Sequence, residues 1–574
     1  MLNSLPLQAA MRGLSRRAAR IVWLLAVAEG FMQSTFKPRF ATIGPKNGVR
    51  RPPTPAPRLR AAEGAAEVVS GTLSSICMIF ATCVEPDYLQ PWSQYAEEDV
   101  TGSGFVVTDA AGGPRILTNE HVVRHARDVR VRPHGSARKF KCSVAYASPE
   151  RDLALLQVDD DAFWETTLAA PLPFASHLPR LFSDVTVVGY PMGGDNVCVT
   201  RGVVSRLDAM AYGSGRGEKL VVVQIDAAIN SGNSGGPALD GDGNVVGVAF
   251  SGFAGEADNI GYVIPACVAE NFLLDAAAGG DGEVCSLGLA AQPAANPALR
   301  RRLGLVDGDG GVLITRVAAG SAAKGAVRVG DVLLRVAGSA VADDGTVALR
   351  GAERIDVSHA FTAKRDGDVV DVEVLRDGER VSSAVRLHPL RRLVPLHPRT
   401  ASPTFAILGG LVLMPLTTQL VDAVAHENDV HVECGVDGEA YGDAGGASEL
   451  VVWASTLTSD ANYGYAHLSA ALPRLVAVNG VAPVSLAHAL ELCKGLHRSG
   501  AEFYDLKFAD PGSTEASSVV LDIDDVDDGD LDLMLRNNLP DLCSRDVADA
   551  YYDAPPVTQK REPKKRRAGR RKRR

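Results

Sequence analysis

The apolar residues of this chain come in short runs. Gly104-Phe-Val-Val107, Val185-Thr-Val-Val188, Leu220-Val-Val-Val-Gln224 and Val245-Val-Gly-Val-Ala-Phe250 are rich in β-branched residues, with Gly, Pro or Asp between them. Runs of that length and composition argue for antiparallel β-barrels over about Ala66 to Ala278, a domain at 66–280. At 574 residues the chain is too long for one core and suggests three or four domains. A hydrophobic content of 46% and a charged content of 22% are ordinary for a soluble globular protein. No stretch reaches the ~18 to 20 apolar residues of a membrane span. The nearest, Phe405 to Leu416, reads as buried strands around a Gly-Gly turn. Nine cysteines are scattered without metal-ligand spacing, so a reducing compartment is expected, with no metal and no cofactor.

Within the β-rich region three residue types recur in a meaningful order. Ile116-Leu-Thr-Asn-Glu-His121 puts a histidine just after a strand, and Arg151-Asp152-Leu-Ala-Leu-Leu puts an aspartate at the head of another. Gly232-Asn-Ser234-Gly-Gly then frames a serine with glycines. A serine hydroxyl is a poor nucleophile at neutral pH and needs a base within hydrogen-bond reach, a role suited to imidazole. His121 is the candidate base, and Asp152 the group that would hold one tautomer of it and stabilise the imidazolium. Gly232 lets the backbone turn so that its N–H and that of Ser234 can face one spot, an oxyanion hole. Taken singly, each has a bland reading: a core histidine, a strand-start aspartate, a glycine loop. His125 and His134 are poorer bases, and Ser103 and Ser231 lack the glycine frame.

Together with Thr101-Gly-Ser-Gly-Phe-Val-Val107, Val188-Gly-Tyr-Pro-Met-Gly193, Gly202-Val-Val-Ser-Arg206 and Asn259-Ile-Gly-Tyr-Val-Ile-Pro265, these motifs resemble the Deg/HtrA (Do-like) serine proteases, in family order. The likeness covers most of residues 70–540 and is similar to the plant and algal type with a divergent second PDZ domain. It implies a mainly β fold with α+β modules: a chymotrypsin-like double barrel with the triad in its cleft, then two PDZ-like domains. It also implies trimer-based homo-oligomers, protein substrates, and an activation-sensing role for the glycine-rich loop Ala211–Glu218.

Finer expectations follow. Six residues before Ser234, where trypsin-like enzymes carry an acid, stands Ala228; with Ile229 it suggests a small apolar pocket. The strand at Val248, Ala249 and Phe250, through Ser251, is expected to pair with substrate backbone. The first PDZ-like domain is expected over 283–390, where Gly311 to Val317 and Gly320 to Gly338 suggest a strand, a helix and a second strand. Ser286-Leu287-Gly288-Leu289 is the candidate loop for a chain-terminal carboxylate, though such a sequence is also an ordinary loop. The second PDZ-like domain, 402–541, is carried by Leu472 to Gly480 and shows no recognisable binding loop.

Both ends depart from globular composition. Residues 1–65 form a basic, Pro-rich arm; the first 60 hold eleven Lys or Arg and one acid, Glu29, in a pattern that resembles an organellar transit peptide. Residues 542–574 are expected to be a basic disordered tail, ending in eleven basic residues against Glu562. That tail suits nuclear import factors or nucleic acid, so the nucleus is the expected location, with chloroplast or mitochondrion as the alternative. The acidic run Asp522–Asp530 is expected to be a solvated face. Two function classes remain: an ATP-independent serine endopeptidase acting on unfolded or damaged proteins, since no P-loop is present, and a catalytically silent PDZ scaffold or holdase.

Overall fold

The computed structural model describes residues 72–552, apart from 168–169, 193, 213–216, 251–259, 307, 397–401, 429–445, 470, 512 and 514. The N-terminal arm, the end of the tail, Ser251, Cys434 and the centre of the Ala211–Glu218 loop lie outside the described residues.

The first barrel contains β1 (Ile76–Cys83), β2 (Glu98–Thr108), β3 (Pro114–Thr118), β4 (Ala126–Pro133), β5 (Phe140–Ser148) and β6 (Leu153–Gln157), closed in the order β1-β2-β3-β6-β5-β4. A short helix, α1 (Glu120–Val123), follows β3, and α2 (Asp161–Thr167) follows β6. The second barrel contains β7 (Asp184–Gly189), β8 (Cys198–Met210), β9 (Leu220–Ile225), β10 (Pro237–Leu239), β11 (Val245–Phe250) and β12 (Gly261–Pro265), closed as β10-β11-β12-β9-β8-β7. Every pairing in both barrels is antiparallel.

The continuous apolar runs arise because both strand faces are buried, each in a different core. In β1, Cys77 and Ile79 enter the interior of the first barrel, while Ile76 and Met78 join a core shared with the second barrel. Ile116 and Leu117 divide the same way in β3, as do Val187 and Val188 in β7. Glycine permits one close approach near the site. A Cβ on Gly102 of β2 would stand 2.6 Å from Val122, so its absence lets α1 sit directly on the strand.

The shared core continues through Phe272 of α3 (Ala266–Ala278) into the next module. There the strands run in the order Leu289–Pro293, Val312–Val317, Val332–Val336, Val369–Arg376 and Glu379–Arg386. The helix expected between Val317 and Gly330 is absent; the chain makes successive turns instead. Gly325 and Gly330 adopt φ +89° and +95°, left-handed values that interrupt a right-handed helix.

The last module has six strands in sequence order, from Ala406–Leu408 to Ala516–Asp522, with Gly409 and Gly410 making the expected turn after the first. The acidic run forms the start of the helix Ile523–Asn537; Asp522 caps it by accepting from the N–H groups of Asp524 and Asp525, and Ile523 and Val526 face inward. The beginning of the expected tail needs correction. Leu542, Cys543, Val547 and Ala550 are buried, and Cys543 bridges to Ala406 on the sheet edge, so this module extends past Asp541. The strongly basic run that follows at 560–574 obscured this, because it dominates the composition of 542–574 as a whole.

Candidate active site

β3 and β6 are neighbours in the first barrel, with Thr118 opposite Ala154, so the residues flanking their ends are brought together. His121 on α1 and Asp152 in the turn before β6 are those residues. His121 Nδ1 lies 2.8 Å from Asp152 Oδ2 and 3.0 Å from Oδ1, and the His121 backbone N–H donates to Oδ1 at 3.0 Å. Asn119 Nδ2 donates to the Asp152 carbonyl at 2.8 Å. Asp152 is buried and holds φ +50°, a strained value for a non-glycine residue that persists only where neighbours over-determine it. With Nδ1–H donating to the carboxylate, the lone pair of Nε2 is left to accept a proton. Burial works against the imidazolium, but the hydrogen bond and negative charge of Asp152 outweigh it, so the His121 pKa is raised above 6.5.

Ser234 lies in the loop between β9 and β10 and is buried. Its carbonyl accepts from Ser103 N–H on β2 at 2.8 Å, so the serine loop is clipped to the opposite barrel. Ser103 Oγ donates to the Gly232 carbonyl at 2.7 Å and accepts from Tyr190 N–H at 2.8 Å. Gly235, at φ +85°, packs so closely that a Cβ there would meet Ser103 O at 2.1 Å and Thr118 Oγ1 at 2.3 Å. The serine loop thus rests on the turn that leads into His121. Gly232 has φ +98°, and a Cβ on it would fall 2.4 Å from Tyr190 O. Because Met192 N–H donates to Ser231 O at 2.7 Å, the planar trans peptide turns the Gly232 N–H away from Met192.

The structure does not gather every candidate here. Ala228 is exposed, and its carbonyl accepts from Thr200 Oγ1, whereas Ile229 packs onto Gly261. The substrate-strand expectation is corrected at Val248 and Ala249. β11 lies between β10 and β12: Val248 pairs with Pro237 and Ile264, and Ala249 exchanges both backbone hydrogen bonds with the Gly235–Gly236 segment while opposing Val263. Phe250 pairs with Tyr262. An apolar run looks alike in a central and an edge strand, which is why sequence misplaced the edge. Ser286, Leu287, Gly288 and Leu289 line a separate cleft of about 410 Å³ between the protease body and the middle module. There Ser286 Oγ donates to Glu218 at 2.5 Å and accepts from Gly288 N–H.

Ser103 is the residue that sequence reasoning undervalued; the signal was its place in Thr101-Gly-Ser-Gly, whose glycines mark close packing. Among the described residues, no group of three or more His, Cys, Asp or Glu could hold a metal ion, and no helix is long and apolar enough to cross a membrane.

The chain is similar to known proteins. Residues 102–248 match the trypsin-like peptidase domain family and residues 394–546 the PDZ domain family. Protease Do-like 2, chloroplastic, of Arabidopsis thaliana is 36% identical over 429 residues, 74% of this chain and 68% of that protein. Protease Do-like 4, mitochondrial, of the same plant is 35% identical over 435 residues, 75% of this chain and 79% of that protein. A solved HtrA-type protease, AlgW with decapeptide, superposes with a TM-score of 0.43 at 25% identity, covering 57% of this chain and 98% of that one. The chain belongs to the Deg/HtrA (Do-like) family of serine endopeptidases.

Proposed function

We propose that this chain cleaves unfolded or damaged proteins without ATP, through Ser234 as nucleophile, His121 as general base and Asp152 as the group that orients the imidazole. The bonded His121–Asp152 pair beside the clipped serine loop supports this best. Ser234 Oγ attacks the scissile carbonyl as His121 Nε2 takes its proton, and the Gly232 and Ser234 N–H groups stabilise the tetrahedral oxyanion. His121 then protonates the leaving amine, and water, activated by the same imidazole, hydrolyses the acyl-enzyme. With Ala228 in place of an acid, cleavage falls after Val, Ile, Ala or similar residues. The PDZ-like modules serve substrate binding, regulation or assembly, the latter trimer-based. The silent-scaffold alternative gives no role to a strained, buried aspartate bonded to histidine.

The experiment is digestion of unfolded casein by wild type and Ser234→Ala, with cleavage sites mapped by mass spectrometry. Cleavage by wild type alone, after aliphatic residues, supports the proposal; comparable cleavage by Ser234→Ala overturns it. A dominant Lys/Arg pattern would instead show the pocket misplaced.

For location we favour an organelle. The basic arm suits it, and relatives carry chloroplastic or mitochondrial names. The nuclear location expected from the basic tail, with import factors or nucleic acid bound there, draws no support from those relatives. Fluorescence of the full chain beside forms lacking residues 1–60 or 557–574 decides: a nuclear signal lost only with the tail would overturn the organelle.

A further inference from the structure

The turn that carries Asp152 holds three successive buried charges, Glu150, Arg151 and Asp152, exposed by 7%, 3% and 2%. Only Asp152 faces His121. Arg151 turns the other way, with Nη2 at 2.6 Å from Asp275 on α3 and Nη1 donating to Gly282 O at 3.3 Å. Ser148 Oγ also donates to Gly282 O. Glu150 Oε2 accepts from Val284 N–H at 2.6 Å, and Oε1 lies 3.5 Å from Arg392 Nη1, on the segment that leaves the middle module. Arg392 Nη2 is 3.8 Å from Glu218, beside Gly217, which also lies next to Glu150.

We propose that Glu150 and Arg392 are positioning residues that fix the catalytic aspartate by tying its turn to the chain entering and leaving the middle module. The proposal rests on the assignment of Asp152 to the catalytic unit. A strained φ at Asp152 needs external restraint, and the residues before it supply that restraint from outside the barrel. Without the Glu150–Arg392 pair the turn relaxes, Asp152 loosens its hold on Nδ1, and the imidazolium loses stabilisation. Burial, opposed by the Val284 N–H and Arg392, and assisted by Glu218 and Glu283, pushes the Glu150 carboxyl up to about 7. The Glu150–Arg392 pairing is therefore sensitive to pH near neutrality.

The test compares full-length Glu150→Gln, Arg392→Gln, the double variant and Arg392→Lys, reading kcat and KM on a peptide substrate across pH together with thermal unfolding. The expected loss is about 2- to 30-fold in kcat for either Gln variant, with little change in KM. The double variant should lose no more than the worse single one, and Arg392→Lys should recover part of the rate. Because Asp152 raises the His121 pKa while Arg124 lowers it and Glu120 raises it, loosening Asp152 should move the acid limb of kcat to lower pH. A fall in rate that follows only the folded fraction, with the limb unmoved, overturns the proposal, as does an unchanged kcat. Ser234→Ala in the same assay separates the two levels: if it remains active, the site assignment itself fails.

Discussion

The two barrels contribute to the site by different physics. The first supplies charge: Asp152 is buried, strained and bonded to His121, while its neighbours Glu150 and Arg151 are pinned by their own partners. The second supplies backbone: Gly232, Gly235 and Gly236 fit where a Cβ would stand 2.1–2.4 Å from a carbonyl oxygen of Tyr190, Ser103 or Val188. One half is intolerant of altered charge, the other of added volume. On the proposed mechanism, losing either half should stop the reaction, but only the first half should govern its pH dependence.

The largest effect tests whether the halves form one unit. Ser234→Ala in the second barrel and His121→Ala in the first should each lower kcat by about 10⁶ while leaving the thermal unfolding temperature near that of wild type. If one variant kept a rate within tenfold of wild type, the halves would not act together. Next, Asp152→Asn should cost about 10⁴ in kcat by favouring the wrong imidazole tautomer. Wild-type activity should fall as pH drops through a His121 pKa above 6.5, because the base must be neutral to accept the serine proton. In Asp152→Asn the residual rate should show that limb at lower pH, since the group raising the pKa is gone; an unmoved limb would assign it to another residue.

Gly232→Ala should lose about 10²–10³ in kcat through displacement of an oxyanion donor, with the acid limb left in place. A shifted limb in this variant would blur the contrast between the barrels. The smallest effect belongs to the clip between them. Ser103→Ala leaves Tyr190 N–H without its acceptor and Gly232 O without its donor, and should destabilise the protein by about 1–3 kcal/mol, read as a lower unfolding temperature. An unchanged unfolding temperature would mean that the other contacts hold the barrels alone.

Much of this was legible in the chain. His121 just after a strand, Asp152 at a strand head and Ser234 between glycines were readable because backbone turns and strand starts leave local signatures. The Gly-Gly turn after Leu408 was legible for the same reason. Relations across the fold were not. The two-sided pairing of Val248 and Ala249 depends on strands 10 or more residues away on both sides, and the packing of Leu542 to Ala550 on an earlier sheet leaves no local mark.

The sequence by itself determined which groups exist and how each sits on its own turn: a histidine just after a strand, an aspartate at a strand head, a serine framed by glycines, and glycines where only glycine fits. Periodicity and turn chemistry act over a few residues, so one chain suffices to read them. Tertiary structure alone decided what those groups meet: that Ser103 of one barrel grips the serine loop of the other, that Asp152 is held in a strained conformation, and that Glu150 reaches Arg392 across more than two hundred residues of chain. The physical reason is that hydrogen bonds and ion pairs depend on distances of about 3 Å in space, and sequence separation carries no record of such distances until the barrels close and pack together.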